Sequence, residues 1–466
     1  MDHNTFLQDY NTICALATPA GGAICVIRLS GQQAIEITDR VFTPKNGKPL
    51  ANASGYTLHF GEIHRKEGQV IDEVMVSLYR APHSYTGEDS VEISCHGSHF
   101  IVKEIMQVLI AAGCRQANPG EYTQRAYLNG KMDLSQAEAV ADLVAATNQA
   151  THRMALSQLK GHFSSELSAL RDQLLKMTSL LELELDFSDH EDLEFADRTE
   201  LLELAQTIDR KTTALARSFE TGNAIKQGIP VAIVGKTNVG KSTLLNQLLH
   251  EEKAIVSDIH GTTRDVIEDT TQIHGITFRF IDTAGIRQTL DTVERIGIDR
   301  AYKKMDEAAI VLWMTDETPT HQEIEEIRQH TNGKKVILLQ NKIDLHPAAS
   351  PAPLHLEDFQ PFAQIAISAK QQVGIDKLEE CIYSAANIPE ITENDVIVTS
   401  ARHYEALTNA HATLLRVIDA LHANFSGDLI AEDLRICLEQ LADITGGQIT
   451  PQETLNNIFA HFCIGK

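Results

Sequence analysis

The sequence predicts a multidomain α/β protein, and three observations carry that expectation. At 466 residues the chain is too long for a single hydrophobic core. Its 43% hydrophobic and 22% charged residues are those of a globular protein, and no apolar run reaches the roughly 18–20 residues that span a bilayer. Its texture also changes along the chain, from short strands to long helices, then to alternating strands and helices, then to helices again.

Residues 1–130 mix β-like runs ("AICVIRLSG", "VMVSLYR", "SVEISCHG") with turn residues and one helix, "FIVKEIMQVLIAAG", which reads as a compact α+β domain. Residues 131–227 have few glycines or prolines and place apolar residues at three- and four-residue spacing, the pattern of amphipathic helices. Ser135, followed three places later by Glu138, predicts a capping box at the start of the first of them. From 228 to 389, "PVAIVG", "TFRFIDTAG", "AAIVLWM", "KKVILLQNKID" and "FAQIAISAK" alternate with helical segments, which implies a mostly parallel sheet with helices on both faces. Residues 390–466 are helical again. Insertion of the α/β unit into one helical domain gives this order, and so do two separate helical domains.

Composition narrows the function. Seven cysteines at 14, 25, 95, 114, 381, 437 and 463 contain no CxxC pair, so reduced thiols in a cytoplasm are expected rather than disulfides or a zinc site. The N-terminus has no basic start followed by an apolar core, so no secretion signal is expected. A net charge of −24 argues against a broad basic surface for nucleic acid, so any RNA contact needs a local patch or a basic partner. Residues 181–204, with ten carboxylates against one arginine, read as a solvated helix end and loop, since EF-hand spacing is absent. "HGSH" (96–99) reads as a structural turn rather than a metal site, for want of further ligands.

The chemistry concentrates in the third segment. "GKTNVGKST" matches G-x-x-x-x-G-K-[ST] after a strand and before a helix, the context in which backbone N–H groups wrap phosphates. It places Asn238, Val239, Gly240, Lys241, Ser242 and Thr243 on the nucleotide, with Lys241 neutralising phosphate and Ser242 reaching Mg²⁺. Ser257, Asp258, Ile259, His260, Gly261, Thr262 and Thr263 follow as a switch, with Thr263 sensing Mg²⁺ and the γ-phosphate. "DTAG" contributes Asp282, Thr283, Ala284 and Gly285. In "NKID", Asn341, Lys342 and Asp344 face the base, and only guanine offers Asp344 two adjacent N–H donors. "SAK" adds Ser368, Ala369 and Lys370, whose backbone N–H groups meet guanine O6. The P-loop and the four ordered elements after it predict a Ras-like P-loop GTP-binding domain. Ras-like GTPases carry a water-orienting glutamine after DTAG, but this chain has Ile286. Asn238 is a candidate for holding a monovalent cation where an arginine finger would sit, and Asp291 or Glu294 for positioning the water.

With "ATPAGGA", "SYTGEDSVEISCHG", "NPGEYTQRAYLNGKMDLSQAEAVADLV", "IVSDIHGTTRDV" and the terminal "FCIGK", the chain resembles the MnmE (TrmE) family of tRNA modification GTPases over essentially its whole length. The resemblance implies an N-terminal folate-binding domain that also forms a homodimer, and a helical domain built from both flanks of an inserted G domain. It implies potassium-stimulated GTP hydrolysis by paired G domains. With the FAD-containing partner MnmG, the family modifies the wobble uridine of certain tRNAs at carbon 5. The one-carbon unit comes from a 5-formyl- or 5,10-methylene-tetrahydrofolate derivative. Carried over by motif, Asn238, Ser257, Ile259 and Thr262 hold potassium, and Ser242 and Thr263 hold magnesium. Glu294 becomes the water-orienting carboxylate in preference to Asp291. Arg28, Glu92, Lys131 and Lys466 fall on the folate derivative. Serine at 257 stands where the family often has threonine, a difference without expected consequence because a backbone oxygen coordinates there. Binding of tRNA by the chain alone is expected to be weak.

The ending "CIGK" makes a poor prenylation box, with glycine at an aliphatic position, lysine last and no polybasic stretch before it. The run before it predicts a helix that docks Ile458, Phe459 and Phe462 into the helical core. The resemblance adds that the tail extends toward the folate site, which makes Cys463 a candidate catalytic thiol.

Overall fold

The computed structural model describes residues 11–186, 197–249, 269–281, 305–345, 356, 359–389, 391–392, 394–447, 452–460, 462–463 and 465. Two compact units emerge, one of Met1–Ala145, Ala155–Thr213 and Glu405–Lys466, the other of Ala146–Met154 and Ala214–Tyr404. The fold is the expected multidomain α/β type.

The first unit opens with β1 (Ile13–Leu16), β2 (Ile24–Ser30), α1 (Ala34–Val41), β3 (Phe42–Pro44), β4 (Thr57–His64), β5 (Val70–Tyr79), β6 (Ser90–His96), α2 (His99–Ala111), β7 (Arg115–Gln116) and α3 (Glu121–Leu128). Its seven strands run in the order β3-β4-β5-β6-β2-β1-β7. Neighbouring strands are antiparallel except β1 and β7. Strand alternation turns Ile27, Leu29, Val91 and Ile93 onto a core shared with Ile37, Ile105 and Leu109 of α1 and α2. The residues between them, Arg28 and Glu92, pair directly across β2 and β6 and take the opposite face.

Helices α4 (Leu134–Ala145), α5 (Gln149–Leu159), α6 (His162–Asp186) and α7 (Arg198–Gln227) follow. The start of α4 differs from expectation. Ser135 lies inside the helix and is fully buried. Asp133 caps instead, accepting the Gln136 N–H at 2.9 Å while the Gln136 side chain accepts the Asp133 N–H at 3.0 Å. The box exists, but it starts two residues earlier because aspartate accepts as well as serine does and glutamine reaches back as glutamate would.

The second unit is built on β8 (Ile229–Val234), α8 (Lys241–Leu248), β9 (Asp269–Ile273), β10 (Ile276–Phe280), β11 (Ile310–Thr315), α9 (His321–His330), β12 (Lys335–Gln340), β13 (Ala363–Ala366) and α10 (Ile375–Ala386). The sheet order is β13-β12-β11-β8-β10-β9, parallel throughout except for the β9–β10 hairpin. Continuous apolar runs make β8, β11 and β12 buried on both faces. Val231, Ile233, Leu312, Ile337 and Leu339 meet Leu244 of α8 and Leu378 of α10 on one face. Ala232, Val234, Val311, Trp313 and Leu338 meet Ile324 and Ile327 of α9 on the other.

Among the described residues the remaining helices are α11 (Ala401–His422), α12 (Gly427–Thr445) and α13 (Gln452–Ala460). As the phenylalanine pattern predicts, Leu455, Phe459 and Phe462 are buried against Leu134 and Ala137 of α4, with Ile458 partly buried beside them. Among the described residues, no helix is long and apolar enough to cross a membrane.

Candidate functional site

The loop after β8 is shaped by two glycines that no other residue replaces. A Cβ on Gly235 would lie 2.2 Å from the Met314 carbonyl oxygen, and one on Gly240 would lie 2.4 Å from Asn341 Nδ2. Both have positive φ, 148° and 103°, and Gly240 is the N-cap of α8. The loop therefore lies close against β11 and Asn341 and delivers Lys241, Ser242 and Thr243 into the first turn of α8. Lys241 Nζ folds back to donate to the Gly235 and Lys236 carbonyls at 2.7 and 2.6 Å. A helix N-terminus and an ammonium thus converge where a phosphate would sit. Val239 is buried beneath the loop, while Asn238, at φ 65°, is exposed on it.

The base side is assembled from the ends of β12 and β13. Asn341, 6% exposed, donates from Nδ2 to the Val239 carbonyl at 2.7 Å and accepts the Ala369 N–H on Oδ1 at 3.0 Å. One amide therefore ties the phosphate loop to "SAK". Ser368, also buried, donates to Asp344 Oδ1 at 2.6 Å and so orients the carboxylate. Lys342, at φ 64°, reaches Asp316 with its Nζ at 2.6 Å. That ammonium, acting through the hydrogen bond, holds the Asp316 carboxyl below its ordinary range. Lys370 is exposed at the rim. The structure brings Asn238 through Thr243, Asn341, Lys342, Asp344, Ser368, Ala369 and Lys370 to the carboxyl ends of parallel strands, where such sheets bind ligands. Ser257, Asp258, Ile259, His260, Gly261, Thr262, Thr263, Asp282, Thr283, Ala284, Gly285, Asp291 and Glu294 lie outside the described residues.

A second polar site occupies the first unit. Arg28 Nε and Nη2 meet Glu92 Oε1 at 2.9 and 2.8 Å, and Nη1 donates to the Gly465 carbonyl at 3.2 Å. The guanidinium lies 5.8 Å from the ring centres of both Tyr85 and Tyr122. Tyr122 donates its hydroxyl to the Arg28 carbonyl at 2.6 Å, and Tyr85 shares a 2.8 Å hydrogen bond with Thr123. Burial pushes both phenols above their ordinary pKa, so the walls around Arg28 are neutral. Lys131 donates to the Pro82 carbonyl at 3.0 Å, on the loop that carries Tyr85. Cys463 is exposed, and its carbonyl accepts the Gly120 N–H at 3.4 Å. Lys466 lies outside the described residues. Thus Arg28, Glu92 and position 465 come together, with Lys131 on an adjoining loop.

Sequence reasoning missed the two tyrosines and the bridging role of Asn341. Tyr85 and Tyr122 sit in "SYTGEDS" and "NPGEYTQ", polar turn-rich stretches that give no apolar pattern to flag them, yet Tyr122 is fully buried with Ile13, Ala15 and Ala117 while Tyr85 is exposed. His96 of "HGSH" bonds Asp72 Oδ1 through Nδ1 at 2.7 Å, and His99 starts α2. Among the described residues no group of three candidate metal ligands occurs.

Comparison with known proteins agrees with this geometry. The family described as MnmE helical domain matches residues 134–463, and the one described as GTP-binding protein TrmE N-terminus matches residues 12–131. The chain belongs to the MnmE family of tRNA modification GTPases. The curated MnmE of Bacteroides fragilis is 57% identical over 98% of this chain and 100% of its own. That of Phocaeicola vulgatus is 55% identical over 98% and 99%, and that of Flavobacterium johnsoniae 49% over 98% and 99%. Among solved structures, the G domain of the T. maritima FeoB iron transporter is 23% identical over 34% of this chain and 98% of its own. Its TM-score is 0.26.

Proposed function

We propose that this chain, acting with an FAD-dependent MnmG partner, couples potassium-stimulated GTP hydrolysis to modification of the tRNA wobble uridine at carbon 5, using a tetrahydrofolate one-carbon unit. The chain is a GTP-hydrolysing enzyme by its family. The observation that most supports guanine as the base is the Asn341 bridge, which ties the phosphate loop to the strand end that orients Asp344. One fixed piece thereby presents phosphate donors and a carboxylate acceptor.

The α8 N-terminus and Lys241 hold the phosphates, and Asp344 takes the N1–H and 2-amino donors of guanine. The donor chemistry around α8 fits hard cations: Ser242 presents a hydroxyl in the first turn, and Asn238 stands exposed on the loop. Ser242 and Thr263 would hold magnesium. Asn238, Ser257, Ile259 and Thr262 would hold potassium. Bound there, the two cations would supply positive charge to the phosphoryl oxygens. Glu294 orients the attacking water.

The Arg28 site suits a flat heteroaromatic ligand with carboxylates, because it offers a cation, a carboxylate and two neutral aromatic walls. Arg28, Glu92, Lys131 and Lys466 would hold a 5-formyl- or 5,10-methylene-tetrahydrofolate derivative. Such a ligand supplies the one-carbon unit. The Tyr85 and Tyr122 rings flank the Arg28 guanidinium, and Cys463 is a candidate thiol at the rim. On this reading residues 1–130 form the folate-binding and homodimerisation domain, and 228–389 the G domain. Residues 131–227 and 390–466 form the helical domain, and the protein works in the cytoplasm.

Reconstitution tests the proposal. Purified chain, MnmG, GTP, a tetrahydrofolate derivative, glycine or ammonium as the nitrogen source, and unmodified tRNA in potassium buffer are expected to yield wobble uridine carrying a carboxymethylaminomethyl or aminomethyl group at carbon 5, read by nucleoside mass spectrometry. Omitting MnmG is expected to abolish the product, and replacing K⁺ by Na⁺ to slow GTP turnover at least about tenfold, a barrier rise near 1.4 kcal/mol. Equal turnover in both salts, or no product in the complete mixture, would contradict it.

A further inference from the structure

A cavity of about 490 Å³ opens between α6 and α12, wholly within the first compact unit and apart from the Arg28 and nucleotide sites. The helices themselves explain why it is there. Leu167, Leu170 and Leu174 of α6 and Cys437, Leu441 and Ile444 of α12 are buried, three and four residues apart on each helix. The positions one residue further round carry Ser164, Ser168 and Arg171 on α6 and Leu438, Ala442 and Thr445 on α12. Serine and alanine are too short to close the space above the buried leucines, so it remains as a cavity with leucine on both sides.

Opposite charges line it at separate places. Asp133, just ahead of α4, accepts the Ser135 hydroxyl at 2.7 Å and the Gln136 N–H at 2.9 Å, both on Oδ1. Its Oδ2 has no partner among the described residues. Ser135 also shares a 3.0 Å hydrogen bond with Ser164, which sets the Ser164 end of α6 beside Asp133. Arg171 lies two turns further along α6, about 10 Å by helix rise. It is exposed, and among the described residues it makes no hydrogen bond or ion pair. The Ser168 hydroxyl between them is likewise without a described partner.

We propose that this cavity binds a short apolar peptide as a zwitterion, with the peptide's carboxylate on Arg171 and its ammonium on Asp133 Oδ2. A guanidinium without a partner takes a carboxylate through two parallel N–H donors, and a carboxylate oxygen without a donor takes an ammonium. Leucine on both helices receives apolar side chains between the two ends, and Ser168 offers a hydroxyl to the peptide backbone. Length selects the ligand. An extended chain of three residues spans about 10 Å, which matches the run of α6 between the charges. A single amino acid carries both charges on the same carbon and reaches only one end. The volume lies within the roughly 300–1,000 Å³ of ligand pockets. The site goes beyond the function proposed above and does not rest on it.

Calorimetric titration of trileucine into the full chain tests this, and saturable binding of one peptide per chain is expected. Amidating the peptide's carboxyl is expected to weaken binding at least about tenfold in the native chain, but less than about twofold in Arg171→Met. Acetylating its amino group is expected to weaken binding by a similar factor in the native chain and to change little in Asp133→Asn, which keeps the Oδ1 acceptor that caps α4. Leucine alone is expected to bind at least about tenfold more weakly than trileucine. GTP turnover within about twofold of native in both variants checks that the fold is kept. The modified peptides probe both charges on the native chain, so the test stands even where a variant folds poorly. No saturable binding of trileucine, or an affinity indifferent to amidation or to acetylation, would overturn the proposal. So would an amidation loss as large in Arg171→Met as in the native chain.

Discussion

At the scale of single residues, the proposed recognition of guanine rests on Asp344. Its Oδ1 is held by Ser368 at 2.6 Å, which leaves the carboxylate aimed by the fold rather than by the ligand. Replacing it by asparagine exchanges one acceptor oxygen for an N–H donor, which suits a base with a carbonyl at position 2. Asp344→Asn is expected to weaken GTP binding roughly 100-fold, the loss of two hydrogen bonds to a charged acceptor, and to gain xanthosine triphosphate. Calorimetric titration of both nucleotides checks it, and unchanged GTP affinity would remove Asp344 from the base site. Residue types carried much of this site in the sequence, since the spacing of Gly235, Gly240 and Lys241 marks a phosphate-binding loop whose glycines the fold requires for close approach to Met314 and Asn341. The Asn341 bridge was not legible, because its partners Val239 and Ala369 stand 102 and 28 residues away.

Among the elements, the 452–465 segment depends on a glycine. Gly120 has φ 66°, and a Cβ there would lie 2.8 Å from the Phe459 carbonyl oxygen and 2.9 Å from Phe462 Cβ. Gly120→Ala is expected to cost about 2–3 kcal/mol through left-handed backbone strain and overpacking. A fall in the thermal midpoint, with faster exchange in 452–465, checks it. The neighbouring helix α3 carries a buried ion cluster in which Arg125, 3% exposed, joins Glu88 and Glu121, and Arg115 joins Glu121. Burial raises the Glu121 pKa, but the Arg115 bond, the Asn118 N–H and Arg125 outweigh it and leave the carboxyl below its ordinary value of 4.5. A depressed folded pKa contributes stability that is full above the unfolded value and is lost as pH falls through the folded one. The denaturation midpoint is therefore expected to hold from pH 7 to about 5 and to fall below about 4, with the acid loss smaller in Glu121→Gln. An equal acid loss in that variant would place the effect elsewhere. Helix and strand identity were legible from periodicity, as Ile27, Arg28 and Leu29 show by alternating across the sheet. The capping of α4 by Asp133 rather than Ser135 was not, because several residues near a helix start can accept the same N–H groups.

Over the whole molecule, the two compact units divide the chain inside α5, α7 and α11, helices whose polarity pattern does not change at the crossing. No local signal marks such a boundary, since helix periodicity records burial on a face and not which neighbour covers it. The net charge of −24 also acts at this scale. It leaves any contact with tRNA to a local basic patch or a partner. What joins the scales is the nucleotide site, because the account makes guanine binding at Asp344 a requirement for chemistry on tRNA. The most direct test runs wobble-uridine modification with MnmG and the Asp344→Asn chain, supplied with either GTP or xanthosine triphosphate. Product with xanthosine triphosphate and little with GTP is the expected result, while full product with no triphosphate at all would contradict the account.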